Sequence, residues 1–308
     1  MNKINLLAVL IFFLGVGIVK AQEDTTKTDE DWDWHWKWDD WKDWDDWKID
    51  FGFKDKQPAV TLQYGLAKVD RKDQQSSFTD PGLVELRLGY IKDKPAWQTE
   101  YIISHTYKYF YLSNETNKLS GKEQTGTEIE TNMWRFGFGS SDGYGYKLGE
   151  DAAFILYNSN SMNWSKIDFT IPYIMTFAPD PVPDYGVLNL YDKSFRFGTS
   201  SEGGIRFKVL KNVMLDAGYE RSIVFQRHLF WKWAGSAIIE AAAQGALDGF
   251  VHKIFRSSPA AGPIVTFVLK NALSYGIYEL RKDKMNWPFN SEPPFVYDQF
   301  KFGLTFVF

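Results

Sequence analysis

The chain ends on Lys301-Phe302-Gly303-Leu304-Thr305-Phe306-Val307-Phe308, and no other stretch narrows the choice of fold as much. Large apolar side chains at 302, 304, 306 and 308 alternate with Lys301, Gly303, Thr305 and Val307, the period of a β-strand with two unlike faces. A strand that ends on an exposed Phe suits water poorly and suits a sheet whose outer face meets lipid. The same period recurs upstream. Val60, Leu62, Tyr64 and Leu66 oppose Thr61, Gln63, Gly65 and Ala67, and Val84, Leu86, Leu88 and Tyr90 oppose Glu85, Arg87 and Gly89. Trp134, Phe136 and Phe138 oppose Arg135, Gly137 and Gly139; Phe195, Phe197, Ile205 and Phe207 oppose Arg196, Glu202 and Arg206. Beyond a Lys211-Asn212 turn, Val213, Leu215, Ala217 and Tyr219 oppose Asp216 and Glu220. For 100–111 the same reading sets Tyr101, Ile103, His105, Tyr107, Tyr109 and Tyr111 outward, against Glu100, Ser104, Thr106 and Lys108.

Residues 1–21 read as a cleavable export signal: Lys3 supplies the charge, Leu6 to Val19 the apolar run, and Val19 and Ala21 the small residues before a cut at Gln22. That run is shorter than the roughly 20 residues a helix needs to span a bilayer. Later segments are broken by charges before they reach that length. There is no Cys, which excludes disulfides, thiolate metal sites and Cys acylation, and the net charge of −4 argues against a nucleic-acid partner. An exported chain with 18% aromatic residues and no spanning helix can enter a membrane only by closing a barrel.

The ending resembles the C-terminal signal of bacterial outer-membrane β-barrels, with Lys301, Gly303, Phe306 and Phe308 at the positions of that pattern. The resemblance implies an all-β, antiparallel transmembrane barrel in the outer membrane of a Gram-negative bacterium, in contact with its lipid. It also implies that the barrel-assembly machinery reads the last strand, which then closes against the first. It indicates no narrower family. Short links at 93–96, 140–143 and 210–212 alternate with long ones at 70–81, 113–126 and 227–294, which sets both termini in the periplasm and makes the strand number even. The stretch 144–193, with Pro172, Pro179, Pro181 and Pro183, holds one strand and a long outer loop, for eight strands, or three strands, for ten; eight is favoured.

Two segments depart from the strand pattern. The acidic tail 22–57 carries seven of the thirteen Trp, spaced by two from Trp32 to Trp38 and by three from Trp38 to Trp47. It is expected to lie against periplasmic headgroups or an envelope partner, with saccharide stacking or an unstructured role as the competing readings. The insert 231–294, before the last strand of the barrel domain 58–308, has helical spacing over 237–254 and 264–280. Trp231, Trp233 and Trp287 bracket it as interface anchors, and strand parity places it on the outer side, where it is expected to cap the barrel mouth, dip into the outer leaflet, or dock a partner or second copy; capping with a partner-facing side is favoured.

Ten charges are expected in the lumen: Glu85, Arg87, Glu100, Arg135, Arg196, Glu202, Arg206, Asp216, Glu220 and Lys301. In an eight-stranded barrel they must pair to close the lumen; in a wider one they would line a solute path. Ser104 and His105 are adjacent in a strand and therefore face opposite ways, and the sequence shows no other catalytic arrangement, cofactor motif or metal-ligand set. The favoured function is a non-enzymatic structural or interaction protein. The alternatives are a small channel or carrier gated by the helical hairpin, and a lipid-modifying enzyme.

Overall fold

The computed structural model describes residues 56–308, apart from 73, 75, 98, 122–127 and 173–184; the export signal and the Trp-rich segment lie outside the described residues. Eight strands form a closed antiparallel barrel in chain order: β1 Gln57–Arg71, β2 Gly82–Pro95, β3 Ile102–Thr116, β4 Glu130–Lys147, β5 Ala153–Thr170, β6 Phe195–Leu210, β7 Val213–Val224 and β8 Phe295–Val307. β8 closes the ring by pairing with β1 from Ala59↔Val307 to Arg71↔Phe295. The Phe308 N–H donates to the Pro58 carbonyl at 2.9 Å, so the terminal residue still belongs to the seam.

The strands form where the sequence alternates, and the alternation assigns their faces. Leu62, Tyr64, Leu88, Phe138, Phe302 and Phe306 point outward and are exposed, while Thr61, Gln63, Glu85, Arg87, Arg135 and Lys301 point inward and are buried. The region 144–193 resolves to the end of β4, one strand β5, and an outer link containing the short helix α1, Tyr185–Tyr191. The link expected at 140–143 is a correction: β4 runs through it, and the turn falls at 148–152, where the Leu148 N–H meets the Ala152 carbonyl at 2.9 Å. Ser140-Ser141-Asp142-Gly143 looks like a turn by composition, but Ser141 is buried inward and Gly143 lies against β5, leaving no room for a Cβ.

Two long helices, α2 Phe230–Ser257 and α3 Gly262–Asp283, connect β7 to β8, with Pro263 in the first turn of α3, where its missing N–H costs nothing. They do not cap the mouth, which corrects the expected placement. The hairpin lies along the outer wall of the barrel. At its outer end, Trp233 meets Phe197 edge-on at 5.5 Å and the Tyr278 hydroxyl donates to Asp298 at 2.6 Å. Midway, Asn271 sits against Gly203, where a Cβ would fall 1.9 Å from the amide oxygen. At its inner end, Phe255 stacks on Trp97 of the β2–β3 turn at 4.5 Å and the Tyr146 hydroxyl donates to the Ala260 carbonyl at 2.6 Å. Trp231 is 83% exposed, Trp233 is half-buried, and Trp287 is half-buried in the link to β8.

Candidate functional site

The barrel interior is built in layers. The middle layer is ionic. Lys301 Nζ lies 2.5 Å from Glu220, 2.7 Å from Glu202 and 3.3 Å from Glu85. Arg87 donates to Glu85 at 2.7 Å and to Glu202 at 2.6 Å, and Arg135 donates to Glu220 at 2.7 Å and Glu85 at 3.3 Å. A further carboxylate, Glu115, lies 3.4 Å from Arg135 and accepts from Gln299 at 2.8 Å. These charges come from β2, β3, β4, β6, β7 and β8, so the cluster exists only once the ring is closed. Inward charges on separate strands have no route to water, so each must find its counter-charge across the lumen.

A second layer lies toward the inner end. Arg206 pairs with Asp216 and also donates from Nη1 to His105 Nε2 at 2.5 Å. A guanidinium has no acceptor to offer, so Nε2 accepts and Nδ1–H donates to Asp93, 2.6 Å away. Thr305 donates to Asp216 at 2.6 Å and shares a hydroxyl contact of 2.7 Å with Thr61.

Three buried tyrosines of β3 tie the layers together. Arg206 lies over the Tyr107 ring at 5.3 Å, Arg87 over Tyr109 at 4.6 Å and Arg135 over Tyr111 at 5.4 Å. Tyr157 of β5 adds a second ring beneath Arg206 at 4.9 Å and donates its hydroxyl to Glu202 at 2.6 Å. Each guanidinium therefore has carboxylates or imidazole in its plane and a π-face against it.

The outer end is closed by an apolar layer. Val69, Ile129, Met133, Ile167, Val224 and Phe295 meet Leu188 and Tyr191 of α1, with Phe78 packed alongside. Burial there pushes the Tyr191 phenol up to about 12. The element that closes the mouth is thus α1 in the β5–β6 link. At the inner end Ala59, Ile91, Met214 and Val307 pack around Tyr107, and Ile103, Ala153 and Ile155 form a smaller cluster.

Polarity runs inside out: buried ion pairs within, and exposed Leu, Phe, Trp and Tyr without. The chain is a closed eight-stranded antiparallel β-barrel with the polarity of a transmembrane one. No protein-family signature matches it, and no curated protein does. Among solved structures, Neisserial surface protein A (NspA) is similar with 11% identity and a TM-score of 0.36, over 82% of this chain and 97% of that one. Ail, the attachment invasion locus protein of Yersinia pestis, is similar with 8% identity and a TM-score of 0.34, over 82% and 99%.

Of the ten charges expected in the lumen, Glu85, Arg87, Arg135, Glu202, Arg206, Asp216, Glu220 and Lys301 are buried there. Two expectations need correction. Glu100 lies before β3, exposed, because the strand starts only at Ile102. Arg196 sits at the outer end of β6, half-buried, where it bonds the Leu190 carbonyl of α1 instead of joining the network. His105 is also a correction: it is fully buried in the lumen, not part of an outer aromatic belt. The tyrosines of β3 are inverted with it, and Lys108, Phe110 and Leu112 face out instead. The outward face of β3 mixes Ser104, Thr106 and Lys108 with Phe110 and Leu112, and the inward face carries His105 and three Tyr, so alternation alone could not orient it. The available signal was the hydroxyl, since an inward Tyr can bond Ser or Thr as well as stack on Arg, while Phe110 and Leu112 have no hydroxyl to offer. Glu115 and Asp93 were missed because each stands near a strand end.

Proposed function

We propose that this protein is a non-conducting, non-enzymatic outer-membrane β-barrel with a structural or interaction role, exported by the signal at 1–21. The carrying observation is that the lumen is filled along its length, by the α1 plug, the ionic layer and the tyrosine layer. An eight-stranded ring leaves an interior that its own side chains fill. A solute path would have to break several ion pairs at once. Surface contacts are then left to carry function, through outer-membrane lipid, the wall-mounted hairpin and a partner for the Trp32–Trp47 stretch. The closing strand, with Lys301, Gly303, Phe306 and Phe308, is the element offered to the barrel-assembly machinery, and Trp231, Trp233 and Trp287 anchor the outer interface.

Purified protein in planar bilayers is expected to show no stepwise conductance, and membranes with and without it are expected to have the same lipid composition. Reproducible conductance steps would establish the channel reading, and an altered lipid species the enzymatic one.

A further inference from the structure

The outer wall of the barrel is not uniformly apolar. Cross-strand neighbours place Asp142, Asn158 and Gly203 side by side on β4, β5 and β6, and Ser140, Asn160 and Ser201 on the next rung. All six occupy outward positions, alternating with the inward Ser141, Ser159 and Glu202. The band continues toward the outer end, where Arg221 of β7 and Asp298 of β8 are direct neighbours in the ladder. Elsewhere the same wall carries Leu62, Leu86, Leu88, Phe302 and Phe306. A diagonal of polar groups therefore crosses a surface that otherwise meets lipid, and lipid offers such groups no partner.

The hairpin follows this diagonal. Asn271 lies on Gly203, Tyr275 takes the Arg221 guanidinium against its ring at 5.1 Å, and Tyr278 bonds Asp298. Arg221 is only 7% exposed although it points out of the barrel. Two charge pairs lie within the hairpin, Asp248 with Lys270 at 2.8 Å and Glu240 with Arg281 at 3.0 Å. Its other face is apolar, with Ile238, Phe250, Ile264 and Val268 each more than half exposed. The 28 residues of α2 reach about 42 Å at about 1.5 Å each, and the 22 of α3 about 33 Å. A hydrocarbon core is about 30 Å thick.

On the reading of the barrel as membrane-spanning, we infer that the hairpin is itself embedded in the bilayer: it descends along the polar diagonal of the wall, turns at 257–262 on the periplasmic side, and presents its apolar face to lipid acyl chains. Neither helix is long and apolar enough to be recognised as a span by itself. Each needs only one lipid-facing stripe, because the barrel wall and the partner helix cover the remainder. His252, Lys253 and Arg256 cluster near the turn, where long basic side chains reach headgroups.

The chain has no Cys, so single-cysteine variants of the full protein report directly. Four exposed positions suffice: Ser258→Cys at the hairpin turn, Asn290→Cys in the outer link, Lys211→Cys in the β6–β7 turn and Val268→Cys on the apolar face. A membrane-impermeant maleimide should label position 290 fully in intact cells. Labelling at 258 and 211 should rise at least tenfold when the outer membrane is breached. A nitroxide at 268 should be relaxed more by oxygen than by a water-soluble nickel chelate. If 258 labels in intact cells while 211 stays protected, the hairpin stands outside the membrane and the inference falls while the barrel reading survives. If 211 labels in intact cells, the barrel runs the other way and the periplasmic placement of the hairpin turn falls. Greater relaxation of 268 by the nickel chelate would also overturn the inference. Ser257→Cys is the alternate turn position should Ser258→Cys not assemble.

Discussion

Lys301 is the cation shared by three carboxylates, and replacing it with Met tests whether the lumen is dry. The aliphatic stem keeps its volume, and the ammonium between Glu85, Glu202 and Glu220 is lost. Breaking a buried pair by removing one partner costs about 3–5 kcal/mol. Here the low end applies, because Arg87 still meets Glu85 and Glu202, and Arg135 still meets Glu220. A loss of about 3 kcal/mol is roughly a hundredfold in the unfolding equilibrium. The control is Lys72→Met, whose 2.8 Å pair with Asp283 is largely exposed, with side chains 46% and 26% accessible. Exposed pairs are worth about 0–1 kcal/mol. The assay is urea unfolding in phospholipid vesicles, followed by Trp fluorescence. Refolding without cellular machinery separates stability from the assembly role proposed for Lys301. The double variant Lys301→Met/Glu220→Gln should recover part of the loss by removing one unmatched charge. If the two single variants differ by less than about 1 kcal/mol and the double variant recovers nothing, the carboxylates are hydrated and the closed-lumen argument is wrong.

Further expectations concern the wall, the mouth and the seam. Gly203→Leu adds an apolar side chain to an outward position, which an open lipid-facing wall would tolerate. Here it meets Asn271 and should cost about 1–3 kcal/mol by overpacking, with partial recovery on adding Asn271→Ala, both read by urea unfolding. Leu188→Asp places an unpaired carboxylate in the α1 plug and should lower the melting temperature by several degrees. It should still give no conductance in planar bilayers, because the ionic layer remains beneath. Deletion of Phe308 removes an outward aromatic and the N–H that meets Pro58. It should reduce the yield of heat-modifiable, protease-resistant barrel in cells, and a normal yield would refute the assembly role of the C-terminus.

Strand alternation was legible wherever one face was unambiguous. In β1, β2, β4, β7 and β8 the outward side carries Leu, Phe or Trp, and the inward side carries charge, amide or glycine. The reading failed where a residue serves either environment. Tyrosine suits both a lipid interface and an arginine-lined lumen, and β3 was inverted for that reason. The stretch at 140–143 failed because serine, aspartate and glycine signal a turn in water but also suit a strand packed on both faces. Of the candidate site, eight charges could be placed in the lumen from parity, but not their partners, since Lys301 meets residues 81, 99 and 216 positions away. The hairpin helices were readable from their period, and their seat was not. Asp142, Asn158 and Gly203 become neighbours only through the register of three strands.

The paired charges inside the hairpin bear on how such a chain reaches its membrane at all. On the proposed outer-membrane localisation, the chain would first cross the inner membrane as an unfolded thread, where a sufficiently apolar segment would be released sideways and never arrive. Asp248, Lys270, Glu240 and Arg281 would hold both helices below that level while unpaired, and they meet as two ion pairs once α2 packs on α3. The same four residues would thus serve as a passage through one bilayer and as the internal seam of a structure seated in the next. On this view, neutralising them would leave the folded hairpin intact and strand the protein one membrane too early.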